Sequence, residues 1–179
     1  DLEPIRRQVR AEHVKEIDRT EGYQYLKSVH SFNAVGRVAS FGGCISHLTP
    51  SITHAMEQIF EAAGQSYWHM DGEGTLCCGR PLMQQGLVKQ AEELRNLNRR
   101  IIKKSNATML VTSCPICYQT FKKDYKLTIP VVHHTEYLQM LIKSGRIKVR
   151  KDDLRTVYHD PCELGRGCGI YKEPRQVLK

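Results

Sequence analysis

The sequence predicts an α/β domain built on a mostly parallel sheet covered by helices. Two observations predict it. Short apolar runs alternate along the chain with segments of helical periodicity, and each run ends in a turn rich in Gly, Pro or Cys. Such alternation describes βαβ units, whose strands are buried on both faces.

The elements follow in order. Residues 4–29 read as a weak helix, with Ile5, Val9 and Ile17 on one side and Val14 near it, so this segment must lean on something else. Val35 to Phe41 is an apolar strand running into the turn Gly42-Gly43-Cys44. Thr49-Pro50 opens a helix in which Ile52, Ala55, Met56, Ile59, Phe60 and Ala63 face inward, and Gly64 stops it. Ser66 to His69 is a short extended stretch before a polar loop and the run Leu76-Cys77-Cys78-Gly79-Arg80-Pro81. One long helix is expected from Met83 to Lys104, with Leu87, Ala91, Leu94 and Ile101 inward and a basic outer face. Ala107 to Thr112 is a second buried strand, delivering Ser113-Cys114-Pro115-Ile116-Cys117. Pro115 then starts a helix running to about Tyr125. Ile129 to Val132 is a third strand, and Thr135 to Ile142 a helix with Tyr137, Leu138, Leu141 and Ile142 inward, closed by Gly145. Leu154 to His159 is a fourth strand ending in Asp160-Pro161-Cys162. Val38 to Cys44 and Thr156 to Cys162 share the order strand, turn, cysteine, and a proline-bearing helix start follows each, at Thr49-Pro50 and Glu173-Pro174. This faint repeat suggests one module and the opening of a second.

Composition narrows the classes. The 179 residues are 40% hydrophobic and 26% charged, which suits a globular domain and excludes disorder and collagen-like repeats. No apolar run approaches the roughly 18 residues of a membrane span. With no starting Met and no signal peptide, the chain reads as a piece of a longer cytoplasmic protein. The net charge of +8 is spread over separate basic groups such as Arg99-Arg100 and Lys122-Lys123, with no nucleic-acid-binding motif beside them. Solvated helix faces account for them, and nucleic acid is not an expected partner.

Seven cysteines in an odd, irregular set including the adjacent pair Cys77-Cys78 fit disulfide pairing poorly. Three places in the first module carry them: Cys44, Cys77-Cys78 and Cys114-x-x-Cys117. Two of these places lie where a buried strand gives way to a helix, the side of an α/β sheet on which loops converge on a ligand. Five thiols there make a soft pocket for zinc or an iron–sulfur cluster. Gly79 beside the pair permits the turn that both thiols need to face inward. A thioredoxin-like site would leave Cys44 and the vicinal pair unexplained, whereas a four-sulfur zinc site accounts for four of the five.

The spacing Cys44, 32 residues, Cys77-Cys78-Gly79, 35 residues, Cys114-Pro-Ile-Cys117 resembles the CCG cysteine-rich domain of the B and D components of heterodisulfide reductases. The same domain occurs in iron–sulfur subunits of glycolate oxidase, lactate-utilisation and anaerobic glycerol-3-phosphate dehydrogenase systems. The resemblance covers about residues 34–147, and His159-Asp160-Pro161-Cys162-Glu163-Leu164-Gly165-Arg166 looks like the start of the family's second copy. It implies a Rossmann-like module at 34–147, a helical lead-in or linker at 1–33 from an upstream domain, and a truncated second module at 148–179. Cys44, Cys77, Cys78, Cys114 and Cys117 would ligate a [4Fe–4S] centre, non-cubane in heterodisulfide reductases, or zinc as in some relatives. Cys162 would belong to a second centre, incomplete here because this copy lacks its own CCG and Cys-x-x-Cys. The implied role is electron transfer or two-electron reduction of a disulfide in an oxidoreductase, with ferredoxin-like or flavin-containing domains or subunits as partners. The alternative is a structural zinc module that docks subunits. Peripheral membrane association is compatible with either. The isolated piece is expected to be inactive, and air exposure to strip a cluster or oxidise the thiols.

Other residues have plainer readings. Cys168 lies outside the motif in a glycine-rich loop. His47 and His69 neighbour the cysteine turns, and imidazole can ligate or carry protons. His159 and His133-His134 suit capping, and Tyr67-Trp68 suits a cover on the sheet or a contact to a missing half.

Overall fold

The computed structural model describes residues 37–72, 74, 76–150 and 153–179, so the expected lead-in helix at 4–29 lies outside the described residues. Four strands form one parallel sheet: β1 (Val38–Phe41), β2 (Tyr67–His69), β3 (Met109–Thr112) and β4 (Val131–His133). Their order is β2-β1-β3-β4, with Val38 opposite both Tyr67 and Met109, and Leu110 opposite Val131. The α/β class expected from the alternation is the class observed.

Side chains leave each strand alternately to the two faces. Ala39, Phe41 and Leu110 point to one face, where they meet Leu94 and Ile101 of α3 (Val88–Lys104) and Phe121 of α4 (Pro115–Asp124). Val38 and Val111 point to the other, against Met56 and Phe60 of α1 (Pro50–Ala62) and Tyr137 and Leu141 of α5 (His134–Lys143). Helices therefore cover both faces, which is why every residue of central β1 is buried. Trp68 lies in the first layer and Tyr67 stacks on Phe60 with ring centroids 4.8 Å apart, so this pair covers the sheet edge as expected. Ile52, expected to face inward in the first turn of α1, is instead exposed.

Three expectations need correction. The helix expected from Met83 to Lys104 is two, α2 (Arg80–Gln84) and α3, because Gly86 adopts φ +76 and Leu87 restarts the second. Residues 154–159 form no strand: Leu154 and Val157 are exposed, and β4 bounds the sheet among the described residues. Strand pairing needs a neighbour's free edge, and a run with apolar residues facing solvent has no layer to stabilise it. Cys168 is not in a loop but ends α6 (Cys162–Cys168), which packs on α4 through Leu164 and Tyr118. A last short helix, α7 (Lys172–Val177), contains Pro174 near its start, as expected.

Candidate functional site

Strand order decides where a site can form. From β1 the chain crosses by α1 to β2 on one side, and from β3 it crosses by α4 to β4 on the other. The C-terminal ends of β1 and β3 therefore flank the topological switch point, where an open α/β sheet has its crevice. Gly42-Gly43-Cys44 leaves β1 there, and Ser113-Cys114 leaves β3.

The β1 turn is held from below by Asp71, just past β2. Its carboxylate accepts from Gly42 N at 3.0 Å and Gly43 N at 2.6 Å. Burial pushes the Asp71 carboxyl up in pKa, and these two donors pull the other way. Gly43 has φ +87, and a Cβ placed on it would lie 3.1 Å from both Cys114 Cβ and Cys117 Sγ. The first and third cysteine loops thus touch through a missing side chain.

Cys114 is the N-cap of α4, and its sulfur accepts from Cys117 N at 3.4 Å. The predicted use of Pro115 as the first helical residue is observed. The vicinal pair enters from the side of α3. Gly79 after it adopts φ +87, as the turn requires, and its N–H donates to Cys77 Sγ at 3.4 Å.

The structure brings four of the cysteine side chains into a succession of neighbours, Cys77 to Cys78 to Cys117 to Cys114, with Cys44 within electrostatic reach of Cys78 and Cys114. Cys78 is held well below the usual thiol range by hydrogen bonds from Cys117 and Cys77. Cys114 is lowered by Cys117 first, against burial. Cys77 and Cys117, the donors, are raised well above it, and burial pushes Cys44 up to about 11. One S–H serves one acceptor at a time, so Cys117 cannot satisfy both Cys78 and Cys114. Among the described residues no three His, Cys, Asp or Glu side chains close on a single ion.

Cys162 stands apart, exposed at the first position of α6. It shares with Cys114, Ile45, Ile52 and Ile116 an apolar groove of about 310 Å³. A second cavity of about 230 Å³ lies on the other side of the β1 turn, lined by Asp71, His47, His69 and Ser113 among others. His69 faces Glu57 at 3.2 Å, and His47 lies over Gly74, so neither joins the sulfurs. His159 is exposed and caps nothing, because the N-cap of α6 is Pro161.

His133 does cap α5: Thr135 N donates to its Nδ1 at 3.5 Å, and Glu136 Oε2 accepts from His133 N at 2.8 Å. Burial brings His133 down to about 3, with His134 adding to the effect, and His134 down to about 4. Both are neutral when folded at pH 7. In the unfolded chain each returns to its ordinary 6.5, so between these values the unfolded state binds more protons. The stability they contribute is complete above pH 6.5 and is lost as pH falls toward 4 and then 3. Urea titrations are expected to show stability falling over that window, by up to about 1.4 kcal/mol per pH unit for each histidine. His134→Gln should flatten the slope.

Sequence reasoning missed Asn98 and Tyr125. Asn98 follows Ala91 and Leu94 at helical spacing, so a polar residue on the buried face of α3 was the available signal. It is fully buried and donates to Cys77 O at 2.9 Å and to Tyr125 Oη at 2.8 Å.

Residues 38–122 match the family model of the CCG cysteine-rich domain. The chain is 36% identical over 152 residues to the D component of the dihydromethanophenazine:CoB–CoM heterodisulfide reductase of Methanosarcina acetivorans, covering 79% of this chain and 37% of that protein. It is 32% identical over 161 residues to the B component of the fumarate reductase (CoM/CoB) of Methanothermobacter marburgensis, covering 88% of this chain and 32% of that one. It is 30% identical over 132 residues to the EtfAB:quinone oxidoreductase of Syntrophomonas wolfei, covering 72% and 18%. The chain thus spans about a third or less of these relatives. No solved structure matches it significantly. Among the described residues no helix is long and apolar enough to cross a membrane. With its cysteine loops meeting at the switch point and its sequence shared with these reductase and oxidoreductase relatives, the chain belongs to the CCG cysteine-rich domain family.

Proposed function

We propose that Cys44, Cys77, Cys78, Cys114 and Cys117 hold an iron–sulfur cluster of the [4Fe–4S] type, and that the chain is an electron-transfer part of a heterodisulfide-reductase-like oxidoreductase. The observation that carries this is the sulfur succession at the switch point. Cys78 and Cys114 are both lowered in pKa, first by the neighbouring Cys117 and against burial, with Cys77, Thr120 and backbone N–H groups also acting on Cys78. A buried group of thiols whose neighbours are mainly other sulfurs suits a soft cationic centre.

The donor set fits such a cluster. A zinc ion, the alternative, needs four sulfurs about 2.3 Å from one point. Five cysteines brought together from three chain segments, with no three of them closing on a single ion, suit a group several atoms across better than one ion. When bound, an iron–sulfur cluster supplies one-electron redox chemistry. The chain's own residues supply soft ligands, exclude water around Cys77, Cys78 and Cys117, and hold the β1 turn through Asp71.

The names of the relatives support a disulfide- or quinone-linked reaction in a multi-subunit complex, and ferredoxin-like or flavin-containing partners are the electron donors this reading proposes. Residues 148–179 are then the opening of a second copy, with Cys162 awaiting further ligands. Anaerobic reconstitution tests the reading: about four iron and four sulfide per chain are expected. Protein that stays colourless and loads only zinc overturns it.

A further inference from the structure

The five cysteines arrive on three separate loops, and something must fix those loops against one another before any metal does. Asn98 and Tyr125 stand between two of them. Asn98, on α3, donates from Nδ2 to Cys77 O at 2.9 Å and to Tyr125 Oη at 2.8 Å. Tyr125, directly after α4, donates its own proton to Cys78 O at 2.9 Å. Both side chains are fully buried.

Every proton in this network has one assignment. The Cys77 and Cys78 carbonyls can only accept. Tyr125 Oη spends its proton on Cys78, so toward Asn98 it must accept. That forces the amide of Asn98 to present its NH₂ group to both neighbours, and its Oδ1 is left buried with no hydrogen-bond partner among the described residues. A fold that leaves a buried acceptor unmet on a helix face otherwise occupied by Leu94 and Ile101 is keeping the amide for its two donated bonds.

We infer that Asn98 and Tyr125 act as one positioning pair that locks the Cys77–Cys78 backbone to the Cys114-x-x-Cys117 helix. Tyr125 is the mechanical link. Its ring packs on Phe121 of that helix, centroids 4.5 Å apart, and its backbone carbonyl accepts from Arg99 Nε at 2.8 Å. Its hydroxyl is anchored at the vicinal pair. The pair therefore sets the separation of the two cysteine groups whose sulfurs meet at Cys78 and Cys117. The effect on a bound centre rests on the ligand reading above; the effect on the backbone does not.

Two variants test it, Tyr125→Phe, which keeps the ring and loses the hydroxyl, and Asn98→Leu, which keeps the branched four-atom shape, loses the hydrogen bonds and raises helix propensity. In the metal-free, reduced chain, alkylation of Cys77 and Cys78 is expected to speed up about three- to tenfold in each, the opening allowed by losing one or two ordinary hydrogen bonds. Exposed Cys162 should react at its wild-type rate. The double variant should speed alkylation by less than the product of the two single-variant factors, because the bonds act as a unit. In anaerobically reconstituted protein, iron content should hold while the midpoint potential moves and the paramagnetic signal of the reduced centre broadens. Variants that melt cooperatively yet show wild-type alkylation rates overturn the proposal. If Asn98→Leu does not fold, Tyr125→Phe alone decides by the same criterion. A wild-type chain that takes up no iron, with alkylation still accelerated in the variants, upholds the positioning pair and removes the centre it was built to serve.

Discussion

Replacing Cys78 with serine is expected to abolish iron uptake while leaving a folded chain. Cys78 is the hub of the sulfur succession: it is 3% exposed and lies between the side chains of Cys77 and Cys117. Serine keeps the shape to within one atom, but its oxygen is hard and stays protonated where sulfur is soft and ionises, so it makes a poor iron–sulfur ligand. Reconstituted Cys78→Ser should fall from about four iron per chain to below about one. The metal-free variant should unfold within about 1–2 kcal/mol of the wild type, since only a small side chain has changed. Cys162→Ser, at an exposed position outside the succession, should keep its full iron content. Equal iron in Cys78→Ser and wild type would sink the ligand assignment at its centre.

What could be read from residue types alone was the local part of this site. Periodicity places α1, α3 and α5 because their apolar faces repeat at 3.6 residues, and Pro115 marks the start of α4. The apolar runs place β1 and β3 because central parallel strands are apolar on both faces. The strand-end position of Cys44 and Cys114 follows from those elements. The unread part is all tertiary. Asp71 is a loop aspartate whose role exists only because β2 lies beside β1. Tyr125 looks like the last residue of an amphipathic helix, and its hydroxyl gains meaning only across the 47 residues to Cys78. Residues 154–159 fail in the opposite direction. Their pattern is strand-like, yet a strand is a property of a pair, and no described strand lies alongside.

Gly43 joins these two levels, and substituting it should be the most damaging change at a position that bears no ligand. Its φ of +87 lies in the left-handed region, which costs a residue with a side chain about 1–2 kcal/mol and a β-branched one more. A Cβ there would also stand 3.1 Å from Cys114 Cβ and Cys117 Sγ, closer than packed atoms tolerate, and valine adds two methyl groups beyond it. Overpacking of that kind costs about a further 1–3 kcal/mol. Neither neighbour can yield cheaply. Cys114 caps α4, and Cys117 lies buried against Cys78. Gly43→Val is therefore expected to destabilise the chain by about 2–5 kcal/mol in urea and to lose iron binding with it, because the atoms that must move are the sulfurs. Gly64→Val separates the two causes. Gly64 also has positive φ, +58, but nothing lies within 4 Å of its Cβ position, so it should lose only the conformational part and bind iron normally. If the two variants prove equally stable and equally loaded, the β1 turn does not press on the Cys-x-x-Cys helix, and the three-loop site would have to be rebuilt without that contact.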